Sequence, residues 1–193
     1  MRIISGKFRG LKLLPPNDFD IRPTSDRLKE ALFSILDSNK YNINIYNSNV
    51  IDICSGTGAL GIEALSRGAK KVYFIDKDIK SIRIIEKNIS KLKINDEDQI
   101  YIKIIKGEAT KALEQINNIF DIVLIDPPYN TNIIQETLHH LKKNNLINTH
   151  SYIFAESGKN EIFDFKGYNL LETKIYGKSK LTILKLETSS SIK

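Results

Sequence analysis

The chain has 193 residues, a formal net charge of +6 and a pI near 9.2, with 41% hydrophobic and 27% charged residues; these are the proportions of a folded globular protein, not of a disordered one. Its apolar runs fall short of the ~20 residues that span a bilayer, and "MRIISGKFRG" lacks a signal-peptide core, so no membrane association and a cytoplasmic location are expected. The lone Cys54 can form no internal disulfide, and His139, His140 and His150 lack partners at metal-ligand spacing, so no metal is expected.

In chain order, "RIIS" and "LKLL" flank the segment from Gly6 to Gly10 and read as a hairpin or a pair of short strands. Of six Arg, four (Arg2, Arg9, Arg22 and Arg27) lie in the first 27 residues, and the first 14 contain Arg2, Lys7, Arg9 and Lys12 with no acid. Such a cluster reads either as a solvated face or as an arm that grips phosphates. After a turn-rich stretch, Thr24 is placed to cap a helix with Asp26 in its first turn; Leu28, Ala31, Leu32, Ile35 and Leu36 follow at helical spacing. The Asn-rich "SNKYNINIYNSN" reads as a connector.

From Val50 onward, strand-like and helix-like segments alternate. "NVIDIC", "KKVYFID", "QIYIKIIKG", "FDIVLID" and "SYIFAES" are apolar runs of strand length. Between them lie the helical "GALGIEALSRG", "IKSIRIIEKNISKLKI", "EATKALEQI" and "NIIQETLHHLKKNN". This pattern predicts a doubly wound α/β fold with a mostly parallel sheet covered on both faces. "YNLLETKIYG" and "SKLTILKL" have no helix between them, so they should close the seven-stranded, Rossmann-like sheet as an antiparallel hairpin. The expected organisation is an N-terminal β-hairpin and helix extension over residues 1–40, a main body over 41–187, and a frayed tail over 188–193.

"DICSGTGALG" places Gly56, Gly58 and Gly61 in G-x-G-x-x-G spacing between a strand and a helix, a turn that lets a ligand approach the backbone. Twenty positions after Gly56, at the end of the next strand, Asp76 can accept hydrogen bonds from both hydroxyls of a ribose. Helix capping is the plainer alternative for that residue. These features suit an NAD-dependent dehydrogenase as well as an S-adenosylmethionine-dependent methyltransferase. Asp52 beside the loop tips the balance toward a cationic ligand, unless it only braces the loop. Glu108, after the third strand, is an acceptor suited to an adenine amine or simply an acid in a helix's first turn.

"DIVLIDPPYN" ends the fourth strand with two prolines, which cannot donate to the sheet and hold φ near −65°. A stiff turn there offers the Asp126 carboxylate, the Pro127 carbonyl and the Tyr129 ring. Carboxylate and carbonyl would accept the two hydrogens of an exocyclic amine on a base stacked against the tyrosine. A plain turn after a buried strand is the competing reading, and a dehydrogenase has no use for such a set.

Together "MRIISGKFRG", "RPTSDRLKEALF" (22–33), "DICSGTGALGIEALSRGA" (52–69) and "DIVLIDPPY" (121–129) resemble the RsmD family, class I S-adenosylmethionine-dependent methyltransferases that methylate N2 of a specific guanine in 16S ribosomal RNA. The resemblance runs through essentially the whole chain. It implies S-adenosylmethionine at Gly56, Gly58 and Asp76, with Asp52 near its amino-acid end and Glu108 near adenine. It puts the guanine against Asp126, Pro127 and Tyr129. Arg22 and Thr24 match the family's N-terminal block, and with Arg2, Lys7, Arg9 and Arg27 they become candidate contacts to 16S rRNA within the small subunit. Cys54 stands where the family often has an aromatic residue, and Glu108 where Asp is usual. An adenine-N6 methyltransferase on DNA or RNA, a dinucleotide-dependent oxidoreductase and a non-catalytic RNA-binding module are the alternatives.

Overall fold

The computed structural model describes residues 1–16, 26–38, 40–95 and 98–188, with the side chains of residues 26 and 27 left out. Among the described residues twelve elements follow one another: α1 (Asp26–Asp37), β1 (Asn49–Ile53), α2 (Ala59–Ser66), β2 (Lys71–Asp76), α3 (Ile79–Ser90), β3 (Tyr101–Lys106), α4 (Ala109–Leu113), β4 (Ile122–Ile125), α5 (Ile133–Lys143), β5 (Tyr152–Gly158), β6 (Tyr168–Tyr176) and β7 (Ser179–Leu186). They form a seven-stranded sheet of order β3-β2-β1-β4-β5-β7-β6. The first five strands pair in parallel, while β7 pairs antiparallel with both β5 and β6. The doubly wound sheet and its closing hairpin therefore match the reading of the sequence.

Alternate residues of each strand separate two hydrophobic layers. Val50, Val72, Phe74, Ile122, Leu124 and Phe154 pack with α1, α2 and α3 on one face. Ile51, Ile53, Ile75, Val123, Ile125 and Ile153 pack with α4 and α5 on the other. Burying each such side chain contributes roughly 1.5–3 kcal/mol, so both faces of the sheet drive folding. The central strands consequently read as unbroken apolar runs. The helices that follow β1 and β4 cover opposite faces, and the crevice beyond the carboxyl ends of these neighbouring strands is where open α/β sheets bind ligands.

The N-terminal hairpin is shorter than expected. Arg2 and Lys12 form one isolated antiparallel bridge, flanked by Ile3 N–H to Leu11 O at 3.0 Å and Gly10 N–H to Ile3 O at 2.9 Å. Leu13 N–H reaches Met1 O at 3.3 Å, and Arg9 and Leu11 bond within the turn, but several further backbone donors are taken by the body of the protein. Glu63 of α2 accepts the N–H groups of Ile4 (2.7 Å) and Ser5 (3.0 Å), Ser66 accepts those of Lys7 and Phe8, and Asn88 of α3 accepts that of Leu14 at 2.7 Å. A segment whose donors are satisfied sideways cannot also zip into strands. Ile3 and Leu13 are buried in the same layer as α1 and α2. The expected Thr24 cap and most of the tail, from residue 189, lie outside the described residues.

Candidate functional site

A cavity of about 310 Å³ opens at the crevice between β1 and β4. It is lined by the loops after β1 (Cys54 to Thr57), β2 (Asp76 to Asp78), β3 (Gly107 to Thr110) and β4 (Asp126 to Tyr129), with Glu136 of α5 and Glu156 of β5. Gly56, Asp76, Glu108, Asp126, Pro127 and Tyr129, all singled out from the sequence, share this one space.

The glycine loop is held from several directions. The Ser55 hydroxyl donates to Asp52 O at 2.6 Å and accepts from Ile75 N–H at 3.0 Å, tying β1 to β2. Gly58, at φ 76°, is the residue from which α2 starts. A Cβ on Gly61 would collide with the Phe74 ring and come within 3.1 Å of Asp52 Oδ2, so this glycine permits the close packing of helix on strand. Gly58 and Gly61 do not line the cavity; they shape the loop that does.

Asp76 accepts the Gly56 N–H (2.8 Å) on Oδ2 and the Asp78 N–H (2.9 Å) on Oδ1. Capping of α3 is performed by Asp78, which accepts from Lys80 N–H at 2.8 Å. Burial pushes the Asp76 carboxyl above its ordinary value, against the pull of the backbone bonds from Asp78 and Gly56. Glu108 is exposed at the start of α4, makes no cap bond there and lies 3.9 Å from Lys77 Nζ.

Asp52 differs from its expected place. It is 1% exposed and lies behind the loop instead of on the cavity wall, where Oδ2 accepts the Gly61 N–H at 2.8 Å. The side chain alternation of β1 accounts for this: Asp52 points under α2, so it braces the first turn of that helix, just beyond the loop, and cannot touch a ligand in the cavity directly. Burial, opposed by the Gly61 bond and reinforced by nearby Asp76, raises its carboxyl to about 7.

At the end of β4 the strand stops at Ile125, and Asp126 N–H makes a last bond to Ile53 O at 3.2 Å. The turn that follows is anchored. Thr131 Oγ1 donates to Pro128 O at 2.9 Å, and Asn130 N–H donates to Glu161 Oε1 at 2.7 Å. The Tyr129 hydroxyl donates to Glu156 Oε1 at 3.2 Å and lies 2.8 Å from Ser179 Oγ. Glu156 and Ser179 escaped the sequence reading. The available signal was a charged residue inside the otherwise apolar strand "SYIFAES".

The cavity's electrostatics are one-sided. Among the described lining residues Asp76, Asp78, Glu108, Asp126, Glu136 and Glu156 are acidic, and Lys77 alone is basic. Cys54, held at φ 61°, reports this field: burial first, then the charges of Asp76, Asp126 and Asp52, push its thiol up to about 12. Such a cavity favours a cationic ligand and opposes a pyrophosphate.

Of the basic residues singled out near the N-terminus, Arg2 and Arg9 are exposed, and Lys7 is exposed and pairs with Asp98. Lys12, also exposed, lies across the bridge from Arg2. Arg22 and Thr24 lie outside the described residues, and Arg27 is placed only as backbone of α1.

Comparison with known proteins gives a consistent picture. The family model described as conserved hypothetical protein 95 matches residues 1–185. The ribosomal RNA small subunit methyltransferase D of Haemophilus influenzae is 35% identical over 180 residues, 92% of this chain and 89% of that protein. An uncharacterized methylase of Rickettsia prowazekii is 31% identical over 96% of this chain and 97% of its own length. Among solved structures, a provisionally named methyltransferase of Escherichia coli superposes with a TM-score of 0.80 at 30% identity, covering 97% of this chain and 98% of that one.

Proposed function

This chain belongs to the conserved hypothetical protein 95 family, the RsmD family that its motifs resemble, and we propose that it methylates the exocyclic N2 of a specific guanine in small-subunit (16S) ribosomal RNA, with S-adenosylmethionine as the donor. The observation that carries the reading is the meeting, in one acid-lined cavity, of the glycine loop and the Asp126-Pro127-Pro128-Tyr129 turn.

The residues present suit such a donor. Asp76 holds the ribose hydroxyls while continuing to brace Gly56, and Glu108, exposed at the rim, accepts from the adenine amine. The surrounding carboxylates favour a positively charged sulfur and ammonium over a dinucleotide, and Asp52 contributes its field from behind the loop. When bound, S-adenosylmethionine supplies an electrophilic methyl group on a sulfonium.

The chain's own contribution is to present the acceptor nitrogen. Asp126 and the Pro127 carbonyl accept the two amine hydrogens, which fixes the nitrogen and draws its lone pair out of conjugation with the ring. Tyr129 stacks on the base, its ring oriented by the hydroxyl's partners on β5 and β7. Because a guanine within a helix cannot reach this recess, the target is a loop or flipped-out nucleotide. Residues 1–40 serve as the RNA-contacting extension, with Arg2 and Arg9 on phosphates, and residues 41–187 carry the chemistry.

Incubation of the protein with tritiated S-adenosylmethionine and unmethylated small subunits, naked 16S rRNA or DNA tests the proposal. Label as N2-methylguanosine in rRNA is expected. Label in DNA alone would replace it with an adenine-type enzyme, and tight cofactor binding with no label anywhere would make the chain a binding module.

A further inference from the structure

We infer that Glu156 reads the ring edge of the target base, accepting the N1–H of guanine and turning away bases that carry an acceptor at that position. The inference rests on the guanine-N2 reading and adds the residue that would make it selective. It starts from the sheet register. Ile125 of β4 pairs with Ala155 of β5, so the next residues, Asp126 and Glu156, stand at the same level of neighbouring strands and both line the cavity. Glu156 is 3% exposed in a strand whose adjoining residues Phe154 and Ala155 are core. Taking a carboxylate this far from water costs several kcal/mol unless donors meet it; the Tyr129 hydroxyl supplies one at 3.2 Å, and the carboxylate also borders the space a base would enter.

The donors of guanine match this arrangement. The N2 amine is flanked by N1–H on one side and the N3 lone pair on the other, so a guanine whose amine is held by Asp126 and the Pro127 carbonyl can sit two ways round, and only the one that turns N1–H toward the neighbouring strand gives the Glu156 carboxylate a donor instead of an acceptor. Tyr129 connects the two parts, since its ring follows Asp126 in the turn while its hydroxyl reaches Glu156 Oε1 at 3.2 Å. An adenine placed with its own amine at Asp126 would instead face Glu156 with the N1 lone pair, setting acceptor against carboxylate. A site built around a hydrogen bond rejects the analogue that cannot make it far more strongly than shape alone does.

2-Aminopurine separates the possibilities, because it keeps the amine at position 2 but carries an acceptor at N1. The guanine labelled by the protein is first mapped in small-subunit rRNA, and RNA fragments are made with guanine or 2-aminopurine at that position. The full-length protein should favour guanine in kcat/KM by ~100-fold or more. In Glu156→Gln, whose amide can donate to N1, the preference should narrow to within ~10-fold, with cofactor binding retained by calorimetry as evidence of folding. Tyr129→Phe, which removes the hydroxyl but leaves the ring, should keep the wild-type ratio even as its rate falls. Equal use of the two bases by the wild-type protein overturns the inference with no variant needed. So does an unchanged ratio in Glu156→Gln, or an equal narrowing in Tyr129→Phe, which would make Glu156 a positioning residue for the tyrosine. Failure of the wild-type protein to label any guanine overturns the guanine-N2 reading itself.

Discussion

The Gly56 N–H donates to Asp76 Oδ2 over 2.8 Å, joining residues twenty positions apart, so the acid proposed to hold a ribose also holds the glycine loop. Asp76→Asn keeps an acceptor but removes the charge. Hydrogen bonds to charged groups contribute ~1.5–3 kcal/mol, so S-adenosylmethionine affinity should fall roughly 10–100-fold by titration calorimetry. Unchanged affinity would mean that Asp76 is a loop brace alone.

Asp126→Ala should separate chemistry from binding. Its carboxylate is assigned to the base amine, so turnover of rRNA should fall by about 10²–10³-fold while cofactor affinity stays close to wild type. The comparison is single-turnover methyl transfer against calorimetric Kd. Near-normal turnover would remove Asp126 from the mechanism.

Buried Asp52 makes stability depend on pH. In the unfolded chain its carboxyl ionises near 3.8, whereas burial raises the folded value to about 7. Between these values the folded state keeps a proton that the unfolded state has released. The contribution of this group therefore falls as pH rises from about 4 to about 7, and it is level on either side. Asp52→Asn lacks that slope. Relative to wild type its unfolding free energy should rise across this window by on the order of 2–4 kcal/mol, measured by urea unfolding at intervals from pH 4 to pH 8.

Gly6 lies at φ 82°, and a Cβ there would fall on the Ser66 carbonyl oxygen and within 2.8 Å of Arg67 N. Backbone atoms of α2 cannot give way, so Gly6→Ala should lift the N-terminal arm off the helix. Hydrogen exchange should speed up at Ile4, Ser5, Lys7 and Phe8, whose N–H groups bond to Glu63 and Ser66, more than in the central strands.

Exposed Arg9 is proposed to meet phosphate. Arg9→Ala should weaken RNA binding about equally for all sequences and reduce the slope of log K against log salt by ~1. A change confined to one RNA sequence would argue for base contact instead.

Much of this protein is legible in the order of its residues. Near-continuous apolar runs alternating with helical spacing dictate a two-faced parallel sheet, because burial on both sides selects β-branched strands such as "NVIDI" and "IVLI". The glycine loop and the Pro-Pro stop are equally visible, since turn chemistry depends on the few residues within the turn. The N-terminal hairpin is overread for a physical reason. Its local pattern suggests strands, but the donors of Ile4, Ser5, Lys7, Phe8 and Leu14 are spent on Glu63, Ser66 and Asn88, which lie more than fifty residues away. Asp52 misleads likewise: the residue type suggests a ligand contact, and the strand's alternation turns it under α2. Glu156 and Ser179 join Tyr129 across 27 and 50 residues through the β4, β5 and β7 ladder. Local propensity determined the elements and the turns, while the register of distant strands decided which acids face the cavity and which brace it from behind.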